Sequence, residues 1–167
     1  QTHLAGIELH NVDMSGSDLE GVTFTEAHLS AYSLAYSPDG QTLATGYFNG
    51  SIKLWQVGKV FGSQLLEFQA HDKLVGTMAF SPDGKVLASG SMDGSIRLWE
   101  PQSGFCMATL QKNTQTIYSI AFSSDSNWLV SGGSDQQIHV WEVATGHLVA
   151  SLPAGQGWIL SVALSRD

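Results

Sequence analysis

The chain has 167 residues, 43% hydrophobic and 13% charged, with 18 Gly against four Pro, so it is a folded chain with a sizeable core and many tight turns rather than a disordered one. Seven basic residues face fifteen acidic ones, a net charge of −8 with no basic cluster. This excludes nucleic acid and anionic membrane surfaces as expected partners, because Lys and Arg hold both.

In chain order, the first tract covers residues 1–26. Leu4, Leu9, Met14, Leu19, Phe24 and Leu29 stand five apart, and Thr2, Ile7, Val12, Ser17, Val22 and Ala27 precede them by two. The spacing resembles the pentapeptide repeat, a square-sectioned β-helix that turns one apolar side chain inward per five residues. The alternative is a loop with chance spacing. Phe24 also keeps step with Phe68, Leu110 and Leu152. "VTFTE" at Val22–Glu26 therefore reads as an outermost or closing strand with no preceding unit of its own.

From residue 27 onward the chain repeats itself. "SPDG" at Ser37–Gly40 returns at Ser81–Gly84, as "SSDS" at Ser123–Ser126 and as "SRD" at Ser165–Asp167, with Trp55, Trp99 and Trp141 keeping the same 44- and 42-residue steps. In the second copy "LVGTMAFS", "KVLASGS", "SIRLWE" and "FCMATLQ" read as four short strands joined by turns. Asp93-Gly94 is a hairpin signal, since the turn needs positive φ. Asn49-Gly50 serves the same geometry in the first copy. Asp135-Gln136 lacks the glycine, so that turn is expected to be strained or of another type.

Each copy is thus a four-stranded antiparallel meander that cannot bury both faces alone. Radial stacking buries them and limits open edges, which makes the expected fold an all-β propeller. The expected units are residues 27–69, 70–111 and 112–153 as blades 1 to 3, and 154–167, carrying "WILSVALS" at Trp158–Ser165, as the first strand of a fourth. A propeller closes with 4–8 blades. The chain therefore reads as a piece of a longer protein, with self-association into a ring as the alternative. Its first residue, Gln1, fits a processed product or a piece equally.

The copies resemble WD repeats, whose signature is an early Gly-His and a late Trp-Asp. Here the late pair is Trp55-Gln56, Trp99-Glu100 and Trp141-Glu142, and the early His is present only in Ala70-His71; Ala27, Asn113 and Gly155 hold the other aligned positions. The resemblance implies a buried hydrogen-bond chain of His, Ser or Thr, Asp and Trp. Blade 2 has all four as His71, Ser89, Asp93 and Trp99. Blade 3 has Ser131, Asp135 and Trp141, and blade 1 has Thr45, Asn49 and Trp55, both without the His. Blades 1 and 3 are therefore expected to be less well locked. A pentapeptide tract running into WD repeats also resembles the C-terminal part of bacterial signal-transduction ATPases, frequent in cyanobacteria. No G-x-x-x-x-G-K-[ST] or kinase motif occurs here.

No catalytic residue, metal ligand set or cofactor site is expected. Ser89, His71 and Asp93 could pass for a hydrolytic triad, but the resemblance assigns them to structure. His3, His10, His28, His139 and His147 lack ligand spacing, so surface or satisfied His is expected. Cys106 reads as packing, and a lone cysteine fits a reducing, cytoplasmic compartment. No apolar run reaches the ~20 residues of a membrane span.

What remains is a surface. The resemblance implies one face built from the loops before each inner strand and the turns before each Trp strand. Phe48 and Met92 in the turns, Leu74 and Trp158 in the loops, with Tyr32 and Tyr118 close by, are apolar or aromatic where a bland surface would be polar. Enrichment of this kind suits a protein- or peptide-binding patch. The competing reading tucks some of them into the axis as packing. The expected function is a non-catalytic recognition platform, with the sensing or autoinhibitory arm of a larger signalling ATPase and a propeller-fold hydrolase as alternatives.

Overall fold

A computed structural model describes residues 2–5, 8–9, 22–25, 30–58, 63–110 and 115–165, with side chains from Ala31 onward. Every regular element among them is a strand. Three short strands come first: β1 (Thr2–Ala5), β2 (Glu8–Leu9) and β3 (Val22–Thr25). β3 pairs in parallel with β1, Thr2 opposite Val22 and Ala5 opposite Thr25. β2 runs parallel to the start of β4, Glu8 opposite Ser30.

Three antiparallel meanders follow, in the expected order. Blade 1 contains β4 (Ser30–Tyr36), β5 (Thr42–Tyr47), β6 (Ser51–Gln56) and β7 (Ser63–Gln69). Blade 2 contains β8 (Val75–Phe80), β9 (Leu87–Ser91), β10 (Ile96–Glu100) and β11 (Phe105–Leu110). Blade 3 contains β12 (Ile117–Phe122), β13 (Trp128–Gly133), β14 (Gln137–Glu142) and β15 (Leu148–Pro153). The inner strands β4, β8 and β12 lie side by side.

The turns explain the recurring Ser and Asp. In blade 2 the Ser81 hydroxyl donates to Asp83 Oδ1 at 2.6 Å, while the amides of Lys85 and Val86 donate to Asp83 Oδ1 and Ser81 Oγ. Ser37 with Asp39, and Ser123 with Asp125, repeat the contact at 2.5 Å. Gly40 and Gly84 turn the chain at φ of 68° and 73°, and Ser126 does so at 63°. At the second hairpin Gly50 and Gly94 have φ of 84° and 87°, and Gln136 has 66°. The glycine-free turn therefore keeps its type and carries the strain, about 1–2 kcal/mol for an L-residue in the left-handed region.

Blade stacking makes the core. Phe68 of β7 meets Trp99 of β10, ring centroids 4.8 Å apart, over Ala44, Leu54 and Leu87. One step on, Leu110 is buried with Ala88, Leu98, Leu129 and Trp141. The inner strands approach the preceding blade at a glycine. A Cβ at Gly46 would lie 2.7 Å from Val75 Cγ1, one at Gly90 2.7 Å from Ile117 Cγ2, and one at Gly132 closer still to Ile159.

The fourth unit departs from expectation. Residues 154–165 form no strand. They are held against blade 3 by the Ile159 amide on the Gly133 carbonyl at 2.9 Å and the Val162 amide on Ser119 Oγ at 3.1 Å. Among the described strands none pairs with this segment, so it joins no ladder. Leu152, the equivalent of Phe68 and Leu110, is consequently 51% exposed, whereas Leu110 is 2% exposed.

Candidate functional site

Each Trp strand anchors a polar chain. Trp55, Trp99 and Trp141 are buried, and their indole N–H groups donate to Thr45, Ser89 and Ser131 at 2.8, 2.8 and 2.9 Å. In blade 2 the chain runs on. Ser89 Oγ lies 2.7 Å from His71 Nε2, and His71 Nδ1 lies 3.0 Å from both Asp93 Oδ2 and Ser95 Oγ. Burial pushes the His71 imidazole below its ordinary value despite the carboxylate of Asp93. Burial would raise Asp93, but hydrogen bonds from the Ser95 hydroxyl and amide outweigh it and keep the carboxylate ionised. One proton arrangement satisfies every group: Trp99 N–H to Ser89, Ser89 O–H to Nε2, and Nδ1–H toward Asp93.

These distances would also suit a hydrolytic triad, and burial decides against it. Ser89 and His71 are 0% and 1% exposed, and Ser89 Oγ already accepts the Trp99 N–H. A nucleophile must meet its substrate beside an oxyanion site. No group of three or more His, Cys, Asp or Glu among the described residues is arranged to hold a metal. Cys106 packs at the edge of the core cluster around Trp99.

The loop-face residues lie where the meander sends them, at the end of the blades opposite the Ser-Pro-Asp-Gly turns. Tyr32, Phe48, Met92 and Trp158 are exposed by 42, 65, 41 and 65%. Tyr32 and Phe48 form one ring pair with centroids 5.9 Å apart, and Tyr118 and Trp158 form another at 5.7 Å. Leu74 and Tyr118 are half-buried, so these two also serve as packing. The Met92 amide donates to the Leu74 carbonyl at 3.1 Å, joining turn to loop within blade 2.

A family profile described as "WD domain, G-beta repeat" matches residues 20–56, 62–100 and 104–142, more than half of the chain. The chain belongs to the WD-repeat family. It is 39% identical over 75 residues to an uncharacterized WD repeat-containing protein, alr2800, of Nostoc sp. (strain PCC 7120); the match spans 45% of this chain and 6% of that protein. Among solved structures, the WD40 repeats of RRP9 are similar at 29% identity and TM-score 0.77, and U3-55K at 28% and 0.77. Each likeness covers 83% of this chain and 43% of the other. The chain therefore spans under half the length of these solved relatives. The WD-repeat family supports a protein-interaction scaffold as the general role.

Two members of the polar chain escaped sequence reasoning. In blade 3, His139 is buried, with Nε2 2.6 Å from Asp135 Oδ2 and Nδ1 2.9 Å from Ser151 Oγ. In blade 1, the buried Tyr47 hydroxyl lies 3.2 Å from Thr45 Oγ1, with Lys53 Nζ 5.4 Å from the ring centroid. The blades expected to be less locked thus carry substitutes. One signal was available: Lys53, Arg97 and His139 share the blade step and stand opposite Thr45, Ser89 and Ser131 in the ladders. His10 and His28 and the aligned positions Ala27 and Asn113 lie outside the described residues, as does the side chain of His3 in β1. Asn49 caps its own turn by accepting from the Ser51 amide at 3.1 Å and the Ser51 hydroxyl at 2.8 Å.

Proposed function

We propose that this WD-repeat segment is a non-catalytic platform that binds a protein or peptide partner on its loop face. Phe48, Met92 and Trp158 are the anchors, and Tyr32, Tyr118 and Leu74 support them. The observation that carries the reading is the pair of aromatic doublets on one end of the blade stack, with Tyr32, Phe48 and Trp158 exposed, a surface that gains by being covered. Peptide display against the intact chain tests it. Enriched peptides should lose binding to Phe48→Ser and Trp158→Ser variants that melt like wild type. Peptides indifferent to both variants would overturn the assignment.

The exposed face around Leu152 supports a second part of the proposal, that further blades cover it. They come from the rest of a longer chain, with a second copy as the alternative. The arm of a signalling ATPase remains a second reading, favoured by two observations. The curated Nostoc relative is far longer than the match. The β1–β3 register of twenty residues, Thr2 to Val22, equals four five-residue steps and supports the pentapeptide reading of residues 1–26. A P-loop encoded upstream of Gln1 would support the arm, and its absence from the gene would sink it.

A further inference from the structure

We propose that the wedge between blades 1 and 2, at the Ser-Pro-Asp-Gly end, is a second binding groove, taking an extended peptide that carries bulky apolar residues beside Lys or Arg. The groove has a volume of about 810 Å³. Leu65, Leu66, Phe80 and Pro101 form its apolar wall, and Asp39 and Asp83 stand at its rim. It lies at the opposite end of the blades from Phe48 and Trp158, so it is independent of the loop face.

The two joints are lined differently at this end. Between blades 2 and 3, Val86 stands where Thr42 stands and Val143 where Pro101 stands, and both valines pack into the core cluster around Trp141. At the first joint Thr42 and Pro101 line the groove, and Leu65 stays 48% exposed.

Charge and backbone select the occupant. Each carboxylate uses Oδ1 on its own turn, Asp39 through Ser37 and Gln41, Asp83 through Ser81 and Lys85. The hydroxyl donors hold both below the usual carboxylate range, so both are ionised at neutral pH. Among the described residues Asp83 has a cation, Lys85 Nζ at 3.4 Å, and Asp39 has none; that lysine side chain is 81% exposed. A cationic residue therefore finds a free carboxylate at Asp39, while an anionic one meets two like charges. β7 pairs only with β6 among the described strands, and its other edge offers backbone donors and acceptors to an extended chain.

Fluorescence anisotropy with a short labelled peptide of alternating Leu and Lys tests the groove, beside Leu/Glu and Ser/Lys counterparts. The Leu/Lys peptide should bind, and both counterparts should bind at least about fivefold more weakly. The double variant Asp39→Asn/Asp83→Asn should weaken the Leu/Lys peptide about fivefold. Leu65→Ser, which removes the exposed side chain of the apolar wall, should weaken the Leu/Lys peptide at least about fivefold with an unchanged melting curve. Phe48→Ser should leave binding intact, which separates this site from the loop face. The proposal is overturned if Leu65→Ser binds like wild type, if Leu/Glu binds as well as Leu/Lys, or if the Leu/Lys peptide does not bind at millimolar concentration. It is also overturned if sedimentation shows a dimer that Leu65→Ser dissociates, since a second copy would then be the occupant.

Discussion

In blade 2 the imidazole of the polar chain comes from the loop before the inner strand; in blade 3 it comes from within the Trp strand itself. His71 reaches Ser89, Asp93 and Ser95 at once, and Ser89 serves both His71 and Trp99. His139 instead joins Asp135 to Ser151 of the outer strand, and the Ser131 hydroxyl meets Trp141. Among the described residues, blade 2 also packs between two blades, while blade 3 packs against one. The half-buried Asp of blades 2 and 3 meets an imidazole in both, and the source of that imidazole is negotiable. The seat of the Trp N–H is fixed, because each blade supplies a hydroxyl ten residues before its Trp.

The largest difference between the two blades lies at their apolar steps. Leu110→Asp should lose more than about 4 kcal/mol in urea unfolding, because it buries an unpaired charge. Leu152→Asp should change stability by less than about 0.5 kcal/mol. Equal effects would mean that the blade 3 face is covered in solution. Next, Ser89→Ala strands two partners and should lose about 2–4 kcal/mol, against about 1–2 kcal/mol for Ser131→Ala, which strands one. Similar losses would show that the two hydroxyls carry the same load.

Acid should sharpen the difference further. With the folded His71 pKa below its ordinary 6.5, the unfolded chain binds the extra proton first. That contribution is fully present above about pH 6.5 and is lost as pH falls toward the folded value. Asp93, also depressed from 3.8, adds a loss at lower pH as the carboxylate protonates. Urea midpoints should therefore fall between pH 7 and 5, and His71→Gln should flatten that limb. A midpoint that rises over this range would refute the neutral imidazole. Smallest is the hairpin exchange. Gln136→Gly should stabilise by about 1 kcal/mol, whereas Gly94→Ala should cost about that much, both read as shifts in melting temperature.

The blades were legible because their determinants are local and repeated: Asp-Gly turns, alternating apolar strands, and a Trp at a fixed step. The tryptophan, serine and aspartate contacts of blade 2 followed from position. His139 and Tyr47 did not, because neither occupies the sequence position of the missing His: one comes from the Trp strand beside Ser131 and the other from the strand of Thr45 itself. The strand-less Trp158–Ser165 could not be seen either, since its apolar alternation is that of an inner strand and only pairing decides. The groove lined by Leu65 and Pro101 could not be seen in the sequence, because its two walls belong to different blades.

The glycines at 46, 90 and 132 have a bearing on how such an array can grow. Each admits one β-branched side chain of the next unit, Val75, Ile117 or Ile159, into the same hollow. A joint of that kind gauges spacing by a missing methyl on one side and a fork on the other. Whole units cut at this boundary arrive with a matching socket and plug, so duplication or exchange of a unit preserves the pitch while its outward loops diverge freely.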